Sequence, residues 1–179
     1  MCPKIVAEIG CNHKGDLEIA HEMIRIAAEY CKVDVVKFQK RCVKELLTKE
    51  EYNAPHPNPW NSYGATYGLH REFLEFNIDQ HRQLKDWCNE YGVEYSTSVW
   101  DLSSAREIIR LKPSLIKIPS ACNLNKPLLR FLADHYGLDS EAVDMVESWN
   151  GQISCGSNVD FHNMMRWFLH TDLSSEASY

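Results

Sequence analysis

Seven polar side chains that could handle a charged substrate lie at the ends of four strand-like segments of the chain. They are Glu8, Lys37, Gln39, Thr97, Ser98, Lys117 and Ser120. Two lysines supply positive charge and the hydroxyls of Thr97 and Ser120 supply neutral donors, a combination that suits a phosphate or a carboxylate. Glu8 is the candidate for substrate orientation or proton handling. These residue types predict an anion-binding site, provided that the four segments meet in space.

The two strand lysines, Lys37 and Lys117, are the most informative members of this set. A lysine that faces the inside of a barrel is costly unless a partner or a ligand satisfies its charge. The alternative is that each lysine pairs with a local carboxylate, such as Glu8 or Asp34, or points outward. The recurrence of polar residues at equivalent ends of four strands favours a substrate site over that alternative.

The segments that would position these side chains alternate between strand and helix patterns. The predicted strands are Lys4–Ile9, Val33–Phe38, Val93–Val99 and Leu115–Ile118. The predicted helices between and after them are Leu17–Tyr30, Asp79–Tyr91, Leu102–Leu111 and Lys126–His135. Asp16 and Asp101 can cap two of these helices, and Gly92 can end a third.

Four βα units in series predict an α/β fold, either a (βα)8 barrel or an open doubly wound sheet. No G-x-G-x-x-G motif follows the first strand, which weakens a dinucleotide-binding interpretation. In a parallel (βα) barrel the carboxyl ends of all strands open onto one face, where active sites are built. The 179 residues are few for a complete barrel, which needs about 250.

Residues 40–77 interrupt this alternation. Lys44–Tyr52 has the pattern of a short helix, and the stretch NAPHPNPWNSYGATYG that follows is rich in proline, glycine and aromatic residues. An insertion of this length is either a disordered linker or an ordered active-site loop. Trp60, Tyr63 and Tyr67 favour the ordered alternative, because disordered linkers are poor in aromatic residues.

Composition and charge narrow the class of protein. Nineteen basic and 25 acidic residues give a formal charge of −6, which argues against nucleic acid or an anionic membrane as partner. No apolar run approaches the ~20 residues of a membrane span, and the strand-like start leaves no room for a signal peptide. Seven scattered cysteines without a C-x-x-C pair indicate reduced thiols, so we expect a cytoplasmic protein. The histidines show no local spacing typical of a metal site.

Four motifs, in the order VAEIGCNHKGD, VVKFQ, YSTSVWD and IKIPSACNLN, resemble the amino-terminal half of the sialic acid synthase family. The segment SYGATYGLHREFLEF is similar to a barrel insertion in one branch of that family. The resemblance implies a partial TIM-type (βα) barrel of about four βα units. It also implies condensation of phosphoenolpyruvate with N-acetylmannosamine or its 6-phosphate, giving a nonulosonic acid and inorganic phosphate.

The resemblance also implies a role for each matching position. Glu8 matches an acidic residue that contacts the amino-sugar acceptor and metal-bound water, and Lys37 matches a contact to phosphoenolpyruvate. Gln39 belongs to the same strand-two pair. The remaining phosphate and carboxylate contacts match Thr97, Lys117 and Ser120, and Ser98 stays a substrate-binding candidate from its place at the end of the strand.

Three other positions qualify this correspondence. Cys122 stands where many members have a glutamate, so any role of that carboxylate is absent or supplied elsewhere. Asn12 and His13 follow the first strand, and we interpret them as structural.

The family reaction implies a divalent metal, Mn2+ or Mg2+, that polarises the carbonyl of the acceptor. The family's metal-binding histidines belong to later strands, and no matching motif is recognisable. We interpret His162 and His170 as helix-surface or core histidines rather than ligands. No metal ligand is therefore assigned.

The resemblance fades near Gly137, so we expect a truncated barrel domain over 1–137 and a divergent helical tail over 138–179. The tail has two helix-like stretches, Ser140–Trp149 and Val159–His170, and we expect it to reflect an altered or incomplete gene product. A half-barrel leaves two sheet edges open, which predicts a homo-oligomer or a partner that covers them.

Three functions remain open at this point. The first is a nonulosonic acid synthase that acts once other chains complete it. The second is a catalytically incomplete fragment or phosphoanion-binding module. The third is an aldolase on the same barrel that uses Lys37 or Lys117 to form a Schiff base.

Overall fold

A computed structural model of the chain describes residues 3–137 and shows a parallel sheet of four strands in the order β1-β2-β3-β4. The strands are β1 (Val6–Gly10), β2 (Val35–Lys40), β3 (Glu94–Val99) and β4 (Leu115–Lys117). The helices are α1 (Leu17–Glu29), α2 (Val43–Leu46), α3 (Lys49–Asn53), α4 (Tyr67–Phe73), α5 (Ile78–Glu90), α6 (Leu102–Ile108) and α7 (Lys126–Tyr136). This α/β architecture confirms the predicted series of βα units.

One face of the sheet carries the hydrophobic core. Side chains of a strand alternate between faces, so Val36, Phe38, Tyr95 and Val99 share this face, and each is almost fully buried. Helices α1 and α5 contact β1 and β3 respectively, and α6 also contacts β3. Their largest buried side chains are Ile24, Leu84 and Ile108. The opposite face carries polar residues beside the buried Val35.

The predicted helix ends are confirmed where a specific residue defines them. The Asp16 carboxylate accepts hydrogen bonds from the backbone N–H groups of Glu18 and Ile19 and so caps α1. Asp101 caps α6 through the backbone N–H of Ser104, at 2.7 Å. Gly92 has a positive φ of 70° just after α5, the left-handed conformation that ends a helix.

The insertion is ordered, and its helices differ from the prediction. The predicted helix Lys44–Tyr52 is two short helices, α2 and α3, because Thr48 forms a capping box with Glu51 that starts a new helix. Helix α4 was not predicted, and it contacts both α2 and α3. Gly68 of α4 lies so close to the Tyr52 ring that a Cβ at this position would overlap the ring.

Two strand boundaries were predicted too early in the chain. β1 starts at Val6 rather than Lys4, and β2 spans Val35–Lys40 rather than Val33–Phe38. Gln39 and Lys40 extend β2 because they pair with Ser98 and Val99 of β3. Lys37 therefore lies inside the strand rather than at the end.

The chain consists of two compact units, Met1–Cys122 and Asn123–Tyr179. The first contains the sheet and the helices up to α6. Within the second, the structure describes α7, which Asn125 caps through the backbone N–H of Leu128 and which ends at Gly137. The predicted stretches Ser140–Trp149 and Val159–His170, with His162 and His170, lie outside the described residues.

Candidate functional site

The polar face of the sheet collects five of the seven predicted site residues. Glu8 pairs in register with Lys37, and Gln39 pairs with Ser98, which pairs with Lys117. Residues that pair across parallel strands point to the same side of the sheet, and residues two apart along a strand do too. Glu8, Lys37, Gln39, Ser98 and Lys117 therefore share the face opposite the helices.

Lys37 is the centre of this group. It is 7% exposed, its ammonium forms an ion pair with Glu8, and its Nζ lies 3.4 Å from the Ser98 hydroxyl. Burial, followed by the positive charge of Lys117, lowers the pKa of Lys37 to about 8. The ammonium therefore persists at neutral pH. Lys37 therefore does pair with a carboxylate of the chain, and that carboxylate, Glu8, is itself one of the predicted site residues.

Lys117 and Ser120 lie at the open side of the site, where β4 is the last strand of the described sheet. Both residues are exposed. The charge of Lys117 acts on Lys37, which places the two cations in the same electrostatic environment. Ser120 starts the 3-10 turn Ser120–Cys122 that follows β4. Of the two residues, Lys117 is thus the one that the structure relates to Lys37.

Thr97 differs from the other predicted residues because it lies on the helix-covered face. It pairs in register with Phe38, and it shares the face of Tyr95 two residues earlier, whose ring stacks with Phe38 at 6.2 Å. Thr97 is fully buried there. The structure does not bring its hydroxyl to Lys37. Ser96 and Ser98, on either side of Thr97, share the face of Lys37. The Ser98 hydroxyl lies 3.4 Å from Lys37 Nζ, whereas the Ser96 hydroxyl donates to the Leu115 carbonyl at 3.0 Å.

Gly10 lies next to the side chains of both Glu8 and Gln39. Its φ is +60°, a conformation that favours glycine. A Cβ at this position would lie 3.4 Å from Gln39 Nε2 and 3.7 Å from Glu8 Oε1. The amide nitrogen of Gln39 and the carboxylate of Glu8 therefore lie close together above Gly10, next to Lys37.

Arg41 is a residue of this region that the sequence did not single out. It follows β2, is 6% exposed, and forms an ion pair with Glu75 at 2.7 Å. Its guanidinium also donates to the amide oxygen of Gln39 and stacks over the Trp100 ring at 4.6 Å. The separation of 34 residues between Arg41 and Glu75 leaves no local pattern that would have revealed the pair.

A cleft of about 320 Å3 lies next to Arg41 at the carboxyl ends of β2 and β3. Its lining includes two arginines and two aromatic residues and no carboxylate: Arg41, Val43, Leu46, Leu47, Tyr67, Arg71, Trp100, Ala121 and Cys122. This volume is at the small end of ligand sites, and the lining suits an anionic or hydroxyl-rich group. The insertion contributes its walls through α2 and α4.

Asn12 and His13 have structural contacts, as predicted. Asn12 donates to the carbonyl of Ile9 at 2.8 Å, and buried His13 stacks on Phe76 at 4.1 Å. Cys122 lies 3.0 Å from the carbonyl of Trp100. Burial raises the pKa of the Cys122 thiol, which therefore does not replace the carboxylate that the family pattern has at this position.

The structure offers no metal site within residues 3–137. No group of three or more histidine, cysteine, aspartate or glutamate side chains comes together there to bind a metal ion. The residues present therefore do not fit the divalent metal that the resemblance implies. No helix in this part of the chain has the length and apolar character needed to cross a membrane.

The four-stranded parallel sheet, with polar residues on one face and helices on the other, defines an α/β protein of the TIM-barrel-like class. Comparison with family models then identifies the group within that class. The model of the NeuB family matches residues 23–138, and the chain belongs to this family.

Curated relatives agree with the family assignment. The chain is 37% identical over 125 residues to the human N-acetylneuraminate-9-phosphate synthase, covering 70% of this chain and 34% of the relative. It is 38% identical over 137 residues to the Drosophila melanogaster protein of that name, covering 73% and 34%. It is 32% identical over 129 residues to the N,N'-diacetyllegionaminic acid synthase of Legionella pneumophila, covering 72% and 36%. The chain thus spans about a third of the length of these relatives.

Solved structures support the fold. The N-acetylneuraminic acid synthetase of Leptospira borgpetersenii, crystallised with citrate, superposes with a TM-score of 0.62 at 23% identity, covering 82% of this chain and 50% of that one. The spore coat polysaccharide biosynthesis protein SpsE of Bacillus subtilis gives a TM-score of 0.53 at 31% identity, covering 74% and 34%. At 23% identity, the similarity to the Leptospira borgpetersenii structure concerns the fold alone.

Proposed function

We propose that this chain supplies the phosphoenolpyruvate side of a nonulosonic acid synthase site. The observation that carries the proposal is the buried ammonium of Lys37, which lies between Glu8 and Ser98 on the polar face of the sheet. A buried cation on the face of a parallel sheet that carries other polar residues is suited to hold an anionic substrate. Membership of the NeuB family and the names of the curated relatives support the same activity.

Each residue has a defined task in this proposal. Lys37 and Lys117 hold the phosphate and carboxylate of phosphoenolpyruvate by charge, and Ser98 and Ser120 add hydroxyl donors. Thr97 supports β3 from the helix side, since it lies on the other face of the sheet. Glu8 accepts hydrogen bonds from the hydroxyls of an N-acylmannosamine-type acceptor and orients the acceptor toward phosphoenolpyruvate.

The chemistry is the formation of one carbon–carbon bond. C3 of phosphoenolpyruvate attacks the aldehyde carbon of the acceptor, water adds to C2, and inorganic phosphate leaves to give the 2-keto acid. Donors that are already in place stabilise the charge that develops during these steps. Mn2+ or Mg2+ is expected for the family, but the described residues do not fit it, so no step is assigned to it.

The partners follow from the same proposal. Phosphoenolpyruvate and an N-acylmannosamine-type sugar are the small-molecule partners, and a second copy or another chain covers the open side of the half-barrel. The barrel domain is proposed to extend over 1–137, and a cytoplasmic location remains a prediction of the sequence.

Binding of phosphoenolpyruvate to the full chain tests the proposal directly. Isothermal titration calorimetry should detect binding, and Lys37→Met should weaken it about tenfold or more, because the substitution removes the buried charge and keeps the side-chain length. Lys49→Met on the exposed side of α3 is the matched control and should bind as the unchanged chain does. Equal affinities for Lys37→Met and the unchanged chain would contradict the proposal.

Activity separates the synthase from the other two functions. Release of inorganic phosphate that depends on both N-acetylmannosamine and Mn2+ is expected of a synthase. Binding without release would leave the chain a phosphoanion-binding module. Covalent trapping of pyruvate by borohydride on Lys37 or Lys117 would instead identify an aldolase, because the synthase reaction forms no imine.

A further inference from the structure

We propose that Arg41 is a positioning residue that fixes the orientation of the Gln39 side-chain amide. The Arg41 guanidinium donates to Oε1 of Gln39. A guanidinium has five N–H donors and no acceptor, so only the oxygen of the amide can face it. The NH2 group of Gln39 is therefore turned away from Arg41, toward Gly10 and Glu8.

Arg41 is itself held in place on several sides. Its Nη1 donates to Glu75 Oε1 at 2.7 Å and lies 3.3 Å from the Cys11 sulfur, and its backbone N–H donates to Glu75 Oε2 at 2.9 Å. The guanidinium packs over the Trp100 ring. A side chain with these contacts and 6% exposure has little freedom to rotate. The orientation it imposes on Gln39 is accordingly preset before any ligand arrives.

The orientation of the Gln39 amide determines which kind of ligand atom can form a hydrogen bond with it. Nε2 of Gln39 lies 3.4 Å from the Cβ position at Gly10, beside Oε1 of Glu8. With its oxygen toward Arg41, the Gln39 amide presents its N–H donors on the side of Gly10 and Glu8, so the ligand atom it meets there must be an oxygen with a free lone pair. A carbonyl or hydroxyl oxygen of the acceptor sugar fits this requirement. This step rests on the proposed function, whereas the orientation of the amide does not.

Nuclear magnetic resonance tests the orientation without any ligand. With 15N-labelled glutamine, the side-chain NH2 of Gln39 should show a nuclear Overhauser effect to the Hα protons of Gly10. The signal should weaken when Arg41→Met is introduced together with Glu75→Gln, because the amide is then free to turn over. The double substitution avoids leaving the Glu75 charge buried and unpaired, which alone would threaten folding. Glu75→Gln alone keeps Arg41 and should keep the signal.

Substitution of Gln39 by Glu tests the requirement for a donor. The carboxylate has the same shape and still accepts from Arg41, so the chain should still fold, although repulsion from the neighbouring Glu8 carboxylate should lower the midpoint of thermal unfolding. Because the N–H donor is lost, calorimetric affinity for N-acetylmannosamine should fall on the order of tenfold. Affinity for phosphoenolpyruvate should fall as well, because the added carboxylate repels that anion, so the affinity for the uncharged sugar is the readout of the donor. Gln83→Glu on the exposed face of α5 is the control for the added negative charge.

The outcomes distinguish this proposal from the function on which its last step rests. A missing Overhauser effect in the unchanged chain, or one that persists without Arg41, would overturn the positioning role. Unchanged sugar affinity in Gln39→Glu would overturn the donor role. If the unchanged chain bound neither phosphoenolpyruvate nor the sugar, the proposed function would fail, and with it the donor role, while the resonance experiment would still decide the positioning role.

Discussion

Two buried histidines connect the loop after β1 to the core beneath the candidate site. His13 stacks on Phe76, and the hydroxyl of Tyr95 lies 2.7 Å from Nδ1 of His81. Burial lowers the pKa of His13 to about 4, although a hydrogen bond to Gly10 opposes this effect. Burial, followed by the charges of Lys40 and His13, lowers the pKa of His81 to about 3. Both rings are therefore neutral in the folded chain at neutral pH.

The lowered pKa values predict that acid destabilises the fold. In the unfolded chain both histidines take up protons as the pH falls below about 6.5, whereas the folded chain resists this until about pH 4. Between these limits each histidine should reduce the free energy of unfolding by up to about 1.4 kcal/mol per pH unit. Urea unfolding at pH 7 and at pH 5 measures the loss.

Substitutions show which histidine causes the change of the unfolding free energy with pH. His81→Met should flatten the dependence of the unfolding free energy on pH, because methionine fills the site without a titrating group. His135→Gln removes an exposed histidine on α7 and should leave the dependence unchanged. A slope that is the same in His81→Met and in the unchanged chain would refute the assignment.

Sequence reasoning reached the polar residues of the site but not all of their orientations. Lys37, Gln39 and Ser98 were found because polar residues inside parallel strands are rare enough to stand out. In the run Ser96–Thr97–Ser98, the two serines face the site and the threonine does not, and this depends on the register with β2, which the run itself does not encode. Arg41 escaped notice because its partner Glu75 is distant in sequence and close only in the fold.

At the level of elements, the insertion depends on close contact between α3 and α4. Gly68 is buried in the first turn of α4, against the Tyr52 ring of α3. The two helices are also joined by a hydrogen bond from the Tyr67 backbone N–H to the Ala54 carbonyl, at 2.8 Å. Since α4 carries Tyr67 and Arg71 into the wall of the cleft, this contact determines where that wall lies.

Gly68→Ala should therefore loosen the insertion. The new methyl group overlaps the Tyr52 ring, so the helices must separate, at a cost of about 1–3 kcal/mol in the free energy of unfolding. Urea unfolding measures the cost, and hydrogen exchange of the α4 amides should rise. Leu69→Ala, at the next position and 44% exposed, should cost much less.

A second substitution shows whether the ring is the cause. Tyr52→Ala makes room for the methyl group, so Gly68→Ala should cost less in that background than in the unchanged chain. Equal costs in the two backgrounds would show that the packing of Tyr52 on Gly68 is not responsible.

The elements themselves were predictable to different degrees. Helices α1, α5 and α6 were predicted because Asp16, Gly92 and Asp101 mark their ends in the sequence. The interruption between α2 and α3 was missed, because the capping box at Thr48 lies inside a stretch of good helix formers. Helix α4 was missed because it packs through Gly68 against the Tyr52 ring of α3. The periodicity of the sequence does not reveal a contact between two helices.

At the scale of the molecule, both edge strands of the sheet are unpaired on their outer side within the part of the chain that the structure describes. Within residues 3–137, β1 pairs only with β2 and β4 pairs only with β3. Leu115 on β4 is 42% exposed, and Ile5 and Val6 at the β1 edge are 57% and 41% exposed. Parallel strands are normally covered on both faces, and an unpaired strand can add another strand from a second chain.

These edges predict that the chain associates with itself through β4. A charge at position 115 should weaken association, because it would be buried against the added strand. Sedimentation velocity over a wide range of concentrations should show the unchanged chain shifting to larger species and Leu115→Lys shifting less. Leu69→Lys is a matched control, since Leu69 is 44% exposed on α4, away from the sheet edge. If both variants sediment as the unchanged chain does, β4 is not the contact, and if both shift alike, the added charge rather than the edge governs association.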